Sequence, residues 1–186
     1  MIGGVLGNSE ILAERKFKTE NLAKIATATV TVKTNTRTKN DPVKTKREFD
    51  KLMAEHGPRL LDPDKPAGSQ IYGTTDWEEL APVVVRAFES KLYPENSFDI
   101  PIQFIRIGET AMVSLPFEIL SEIGLTMKAQ FPNSVLVSCA NGYHGYLPLE
   151  HEFRRGGYEV SIPAMHFAPD TGDRVLKAIL KKLGAF

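Results

Sequence analysis

The chain has 186 residues, 42% of them hydrophobic, and its 23 basic and 23 acidic side chains cancel. That length suits one domain, of a size that buries about 70% of its unfolded surface. The charge balance excludes a global field that would draw in nucleic acid or an anionic membrane. Mean hydropathy is -0.19 and no apolar run is long enough to span a bilayer.

The opening MIGGVLGNSEILAERKF lacks a basic n-region, and its apolar stretch is too short for a signal peptide. Residues 6–25 can be helical, with Leu6, Ile11, Leu12, Leu22 and Ile25 apolar. TATVTVKT, residues 27–34, alternates strictly and is rich in β-branched residues, which predicts a strand with Val30 and Val32 on one face. Asn40-Asp41-Pro42 predicts a helix start, with a capping carboxylate and proline in the first turn. That helix should run to about His56 and stop at Gly57-Pro58. Residues 58–75 mix prolines and glycines and predict an irregular connection.

A helix is expected between about Trp77 and Leu92, with Leu80, Val84, Phe88 and Leu92 along one side and Pro82 marking a kink or a later start. Phe98–Ile107, the turn Gly108-Glu109 and Thr110–Leu115 predict a hairpin ended by Pro116. Glu118–Gln130 predicts a helix, with Ile119, Ile123 and Met127 at four-residue steps. Ser134–Cys139 is a continuous apolar run and predicts a buried strand. Cys139, the only cysteine, reads there as a small core residue; a single cysteine excludes an internal disulfide or a thiolate metal cluster. The end of the chain, from about Asp170, predicts an amphipathic helix with Val175, Leu176, Ile179, Leu180 and Leu183 inward. The order of elements predicts an α/β or α+β fold, a mixed sheet with flanking helices. A strand–helix–strand unit predicts that strands 110–115 and 134–139 run parallel.

Between the last predicted strand and that helix lies CANGYHGYLPLEHEFRRGGYEV, residues 139–160. It sets Asn141, Tyr143, His144, Tyr146, His151, Tyr158 and Glu159 among glycines and a proline. Glycines allow sharp turns or close approach to a ligand, and Tyr and His add donors, acceptors and metal ligands. Loops held by rigid elements are where binding and catalysis concentrate.

Together with the upstream IPIQFIRIGETAMVSLPFEILSEIGLTMKAQFP, this stretch resembles the C-terminal half of the catalytic domain of neutral/alkaline non-lysosomal ceramidases. The shared pattern is an IRIG hairpin, a Leu-Pro-x-Glu strand end, a helix, a buried strand, Asn-x-Tyr-x-x-Tyr and a later Tyr-Glu pair. It covers residues 98–160 well and the rest more weakly. The resemblance implies a zinc amidase that cleaves an N-acyl amide, with an N-acyl or lipid-like substrate. In the family, zinc is held by two His from the N-terminal half and by a Glu and a Tyr from the C-terminal half. Those last two fall on Glu118 and Tyr146. The Tyr near the scissile amide falls on Tyr158, and Asn141, Tyr143 and His144 fall where substrate would be contacted.

Three features depart from the family. Phe117 stands where classical members have Gly, so a bulkier approach to Glu118 is expected. The interval from Glu118 to Tyr146 is shorter. The segment that would carry the two His ligands and the catalytic Ser is missing, so the resemblance implies a single partial domain, a C-terminal lobe inactive alone, with an N-terminal half as possible partner. Complete members are often secreted; the residues themselves name no compartment.

Plainer roles stand beside these. Glu118 in a first helical turn would interact favourably with the helix dipole. Tyr143 and Tyr146 would be half-buried aromatics with wet hydroxyls. His144 reads as a loop side chain or pocket wall. His56, His151 and His166 have no partner at ligand spacing, and Arg154-Arg155 reads as a solvated helix end. The alternative function is a non-catalytic binding or docking domain that keeps the fold.

Overall fold

The computed structural model describes residues 25–37, 39, 41–60, 83, 85–87, 89–161 and 164–186. Of the helix expected over 6–25, residues 6–24 lie outside the described residues, and Ile25 is not helical but opens the first strand; most of the connection at 58–75 and the start of the helix at 77–82 also lie outside them.

The frame is a mixed four-stranded sheet. β1 (Ile25–Asn35), β2 (Ser97–Ile107) and β3 (Thr110–Ser114) are antiparallel neighbours in that order. Gly108, at φ 60°, makes the β2–β3 turn. β5 (Ser134–Val137) pairs with β3 in parallel, Met112 opposite Val135, as the strand–helix–strand order predicts. Pro101 sits mid-β2 without breaking the ladder: its neighbour across β3 would lie two residues beyond Ser114, where the strand has ended.

Alternation decides the core. Val32, Ile100, Ile102, Phe104, Ala111 and Val113 point to one face of the sheet and are buried. They share one cluster with Ile123 and Met127 of α2 (Ser121–Gln130) and with Val175, Ile179 and Leu183 of α4 (Thr171–Leu183). Each such fully buried side chain contributes roughly 1.5–3 kcal/mol. The fold is therefore mixed α/β, with helices packed on a mixed sheet. Gly172 lets α4 approach the chain closely, since a Cβ there would stand 2.0 Å from the Pro148 carbonyl oxygen. One residue earlier, the buried Thr171 hydroxyl meets that of Thr34 at 2.7 Å.

α1 (Pro42–Leu60) begins as predicted. The Asp41 Oδ1 accepts from the N–H groups of Val43 at 2.9 Å and Lys44 at 3.1 Å. It runs past Gly57-Pro58 to Leu60, because Pro58 forfeits one backbone hydrogen bond in the last turn only. Described residues between 83 and 92 are helical, but Leu92 is exposed and the buried positions are Val83 and Glu89, with Tyr93 just beyond.

Two boundaries differ around the candidate loop. Glu118–Ile119 is not the start of a helix but a short strand, β4, paired in parallel with β6 (Tyr146–Leu147). Pairing to Gly145, whose carbonyl accepts the Glu118 N–H at 3.0 Å, holds these residues extended. The helix starts only at Ser121. β5 ends at Val137, and Cys139 is exposed at φ 53° rather than buried. The chain turns out of the sheet there, and the Cys139 N–H goes to the Phe117 carbonyl at 2.9 Å. α3 (Glu152–Arg155) and a 3-10 turn at Tyr158–Val160 occupy the rest of the loop.

Candidate functional site

Backbone hydrogen bonds stitch the segment after β3 to the segment after β5. Leu115 donates to Val137, Ala140 to Leu115, His144 to Pro116 and Glu118 to Gly145, all between 2.8 and 3.1 Å. These bonds cross the C-terminal ends of a parallel strand pair, the edge at which open α/β sheets usually bind ligands. They fix Glu118 beside the tyrosines of the loop. Gly145 is needed for this. Its φ is +82°, and a Cβ would stand 2.3 Å from the Ala164 carbonyl oxygen.

Glu118 and Tyr146 are direct partners in the β4–β6 register. The Tyr143 hydroxyl donates to Glu118 Oε1 at 2.6 Å, and the Tyr146 phenol stands beside the same carboxylate as its register partner. The two phenol donors hold the Glu118 carboxyl below its ordinary range. The carboxylate in turn pushes the Tyr143 hydroxyl up to about 12 and raises that of Tyr146. Tyr158 stands edge-on to Tyr146, ring centroids 5.9 Å apart, and is 63% exposed. Gly156 and Gly157, at φ 74° and 109°, set the turn that presents it. Glu118, Tyr143, Tyr146 and Tyr158 thus form one solvent-facing group.

Two other predicted residues have different partners. Asn141 donates its amide to Gln103 Oε1 of β2 at 2.6 Å. His144 accepts or donates at Nδ1 with the Tyr93 hydroxyl at 2.8 Å, and its ring packs 4.3 Å from Phe98. Burial, with His166 nearby, lowers its pKa. Phe117 does not crowd Glu118: it is fully buried in the core, 5.8 Å from Phe167, because consecutive residues of an extended segment face opposite ways.

His144 does form a wall. Tyr143, His144 and His166 border a cavity of about 760 Å³ between the end of this loop, α1 and the helical residues before Tyr93; Phe49, Val85 and Leu92 give it an apolar lining. His166, one of its lining residues, pairs through Nδ1 with Glu89 Oε1 at 2.7 Å, and Glu89 is 1% exposed. Tyr93 is pushed well above the ordinary tyrosine range by burial and then by Glu89. Sequence reasoning missed this buried group. The signal was the four-residue step from Glu89 to Tyr93, which puts both on one helix face.

His151, expected without a partner, has two. Its Nε2 lies 3.0 Å from Glu122 and 3.1 Å from Glu152. These three could hold a metal ion, but a half-exposed carboxylate and imidazole group of this kind is common without one. Among the described residues Glu118 belongs to no such group of three. Arg155 meets Glu152 at 3.0 Å as an ordinary surface ion pair.

Comparison with known proteins finds no matching family model, no matching curated protein and no matching solved structure.

Proposed function

We propose that this chain is one lobe of a ceramidase-like zinc amide hydrolase, and that Glu118 and Tyr146 are its two metal ligands. The observation that carries this reading is their pairing at one register position, at the edge of a parallel strand pair where open α/β sheets usually bind ligands. Carboxylate and phenol oxygens suit zinc, but a catalytic zinc keeps three or more protein ligands. The other ligands, a His pair in the resembling family, must then come from outside this group. When bound, zinc would polarise the amide carbonyl and lower the pKa of a bound water to about 7.

This chain's own residues have separate tasks. Tyr143 holds the Glu118 carboxylate in place through its 2.6 Å hydrogen bond, and it also borders the apolar cavity. The acyl part of an N-acyl amide would lie in that cavity, away from water, with its carbonyl near Glu118. Tyr158, exposed beside Tyr146, would donate a hydrogen bond to the developing oxyanion. His144 and Asn141 would contact substrate, His144 as cavity wall.

A second reading is favoured by the shortage of ligands: a docking domain that keeps the fold and has no activity of its own. Elemental analysis separates the two. Protein purified from its native source should carry stoichiometric zinc and turn over a fluorogenic N-acyl amide, and Glu118→Gln and Tyr146→Phe should each lose the metal. Native protein without zinc or turnover would leave only the docking reading. The 186-residue chain alone should bind zinc weakly and show no turnover.

A further inference from the structure

The outer edge of β1 is built in two halves that differ. Thr36 donates its N–H to the Asn96 carbonyl at 2.8 Å, in line with the β1–β2 register. In an antiparallel ladder, bonding to one neighbour alternates. The even residues of β1 therefore bond β2, and the odd residues aim their N–H and C=O outward. Beyond Val32 several of those outward groups have partners from the end of the chain. Arg37 donates to His166 and Ala168 donates to Asn35 at 3.0 Å, Thr36 bridges Phe167, and the Arg174 guanidinium donates to the Lys33 carbonyl. Among the described residues no strand lies beside the outward groups of Ile25, Thr27, Thr29 and Thr31.

Long edges of this kind are normally blunted by charges, prolines or bulges. Ile25–Val32, IATATVTV, has no charge and no proline, and its ladder to β2 runs without a bulge. We infer that this edge is a dimer interface, taking the same strand of a second copy in antiparallel register, so that two four-stranded sheets become one of eight strands. A two-fold axis at Ala28 puts Thr27 opposite Thr29 of the second copy and Ile25 opposite its Thr31. Bonding then falls on the outward odd residues. On the core face Ala26 meets Val30 and Ala28 meets Ala28, small enough for neighbouring strands. On the other face Thr–Thr pairs are favourable cross-strand neighbours. Ile25, 65% exposed, gains an aliphatic contact with the Thr31 methyl. No like charges face each other, and Lys33 lies outside the paired stretch. A C2 interface must be self-complementary, and this strand is. The inference is independent of the reading of Glu118 and Tyr146.

Sedimentation equilibrium of the full chain tests it, with hydrogen exchange at single amides. The expected mass is twice 20.6 kDa. The Thr27, Thr29 and Thr31 amides should exchange slowly in the dimer and quickly after dilution. Thr29→Pro removes an outward N–H and no β1–β2 bond, so it should raise the dissociation constant at least about tenfold, a loss of about 1.4 kcal/mol. If that variant misfolds by circular dichroism, the double change Thr27→Lys with Thr29→Lys sets like charges opposite each other and should have the same effect. A monomer at the highest soluble concentration overturns the inference, as does a dimer that neither folded variant weakens. Slow exchange of the three amides in a monomer also overturns it, because it shows an intramolecular strand on that edge.

Discussion

Glu118 and Glu89 each accept a close hydrogen bond, at 2.6 Å from a phenol and 2.7 Å from an imidazole, yet they sit in opposite environments. Glu118 faces solvent among three tyrosines, whereas Glu89 is buried under His166 beside Tyr93. Water screens the first group, so its hydrogen bonds shift proton affinities while contributing little to stability. The second group is largely withdrawn from solvent, so its hydrogen bonds count for more in stability. The same residue types thus make an open group in one place and a buried group in another. Tyr143 and His144, adjacent in sequence, each belong to one of the two groups.

The largest expected effect breaks the buried group. His166→Ala should lower the unfolding free energy by about 3 kcal/mol, because it removes a 2.7 Å hydrogen bond to the buried Glu89 and the ring's packing against Tyr93 and Phe167. Urea denaturation followed by circular dichroism measures it; a loss below about 1 kcal/mol would mean that Glu89 is held well by its other contacts. Gly172→Ala comes next, at about 2 kcal/mol, since its new methyl meets the Pro148 backbone and α4 must move away.

Changes in the open group should be read in titrations. Tyr143→Phe should raise the Glu118 carboxyl pKa toward the ordinary value of about 4.3, followed by carbon NMR of the carboxyl. Tyr143→Phe with Tyr146→Phe should raise it further. Conversely, Glu118→Gln should bring the Tyr143 hydroxyl down from about 12 toward the ordinary tyrosine value, read by phenolate absorbance. The sign for stability follows from the lowered Glu118 pKa. Its contribution is present above the unfolded carboxyl pKa and is lost as pH falls through the folded one. Tyr143→Phe should therefore remove part of the small gain present at neutral pH, leave stability below the folded carboxyl pKa unchanged, and so make the acid limb shallower. An acid limb identical to that of the parent would remove Tyr143 as the donor that matters. The smallest effect is that of Tyr158→Phe, within about 0.5 kcal/mol in stability, as its hydroxyl is exposed.

Periodicity and turn chemistry made much of the frame legible. Alternation in TATVTVKT marked β1, Gly108-Glu109 marked the hairpin, and the strand–helix–strand order predicted the parallel pairing of β3 with β5. Asp41 was readable as a cap because a carboxylate before Pro42 has free helical N–H groups within reach. The spacing of Val175, Ile179 and Leu183 marked the buried stripe of α4. Glu118 and the loop tyrosines could be singled out by composition and motif.

Their arrangement was decided by tertiary structure. The apolar steps after Glu118 spell a helix, yet Glu118 and Ile119 are extended because the Gly145 carbonyl and the β6 strand take their hydrogen bonds, a partner 27 residues away in sequence that no local propensity encodes. For the same reason Cys139 left the strand its apolar neighbours predicted, drawn to the Phe117 carbonyl. The Glu89–His166 pair joins residues 77 apart, and only the packing of the helical residues near 89 against the last bridge brings them within 2.7 Å. Local sequence was enough to tell which segments alternate, which repeat at helical spacing and where the chain turns, since those depend on neighbouring side chains. Which carboxylate stays in water and which is buried depends on distant segments meeting, and that was decided only when the sheet and its helices closed over one core.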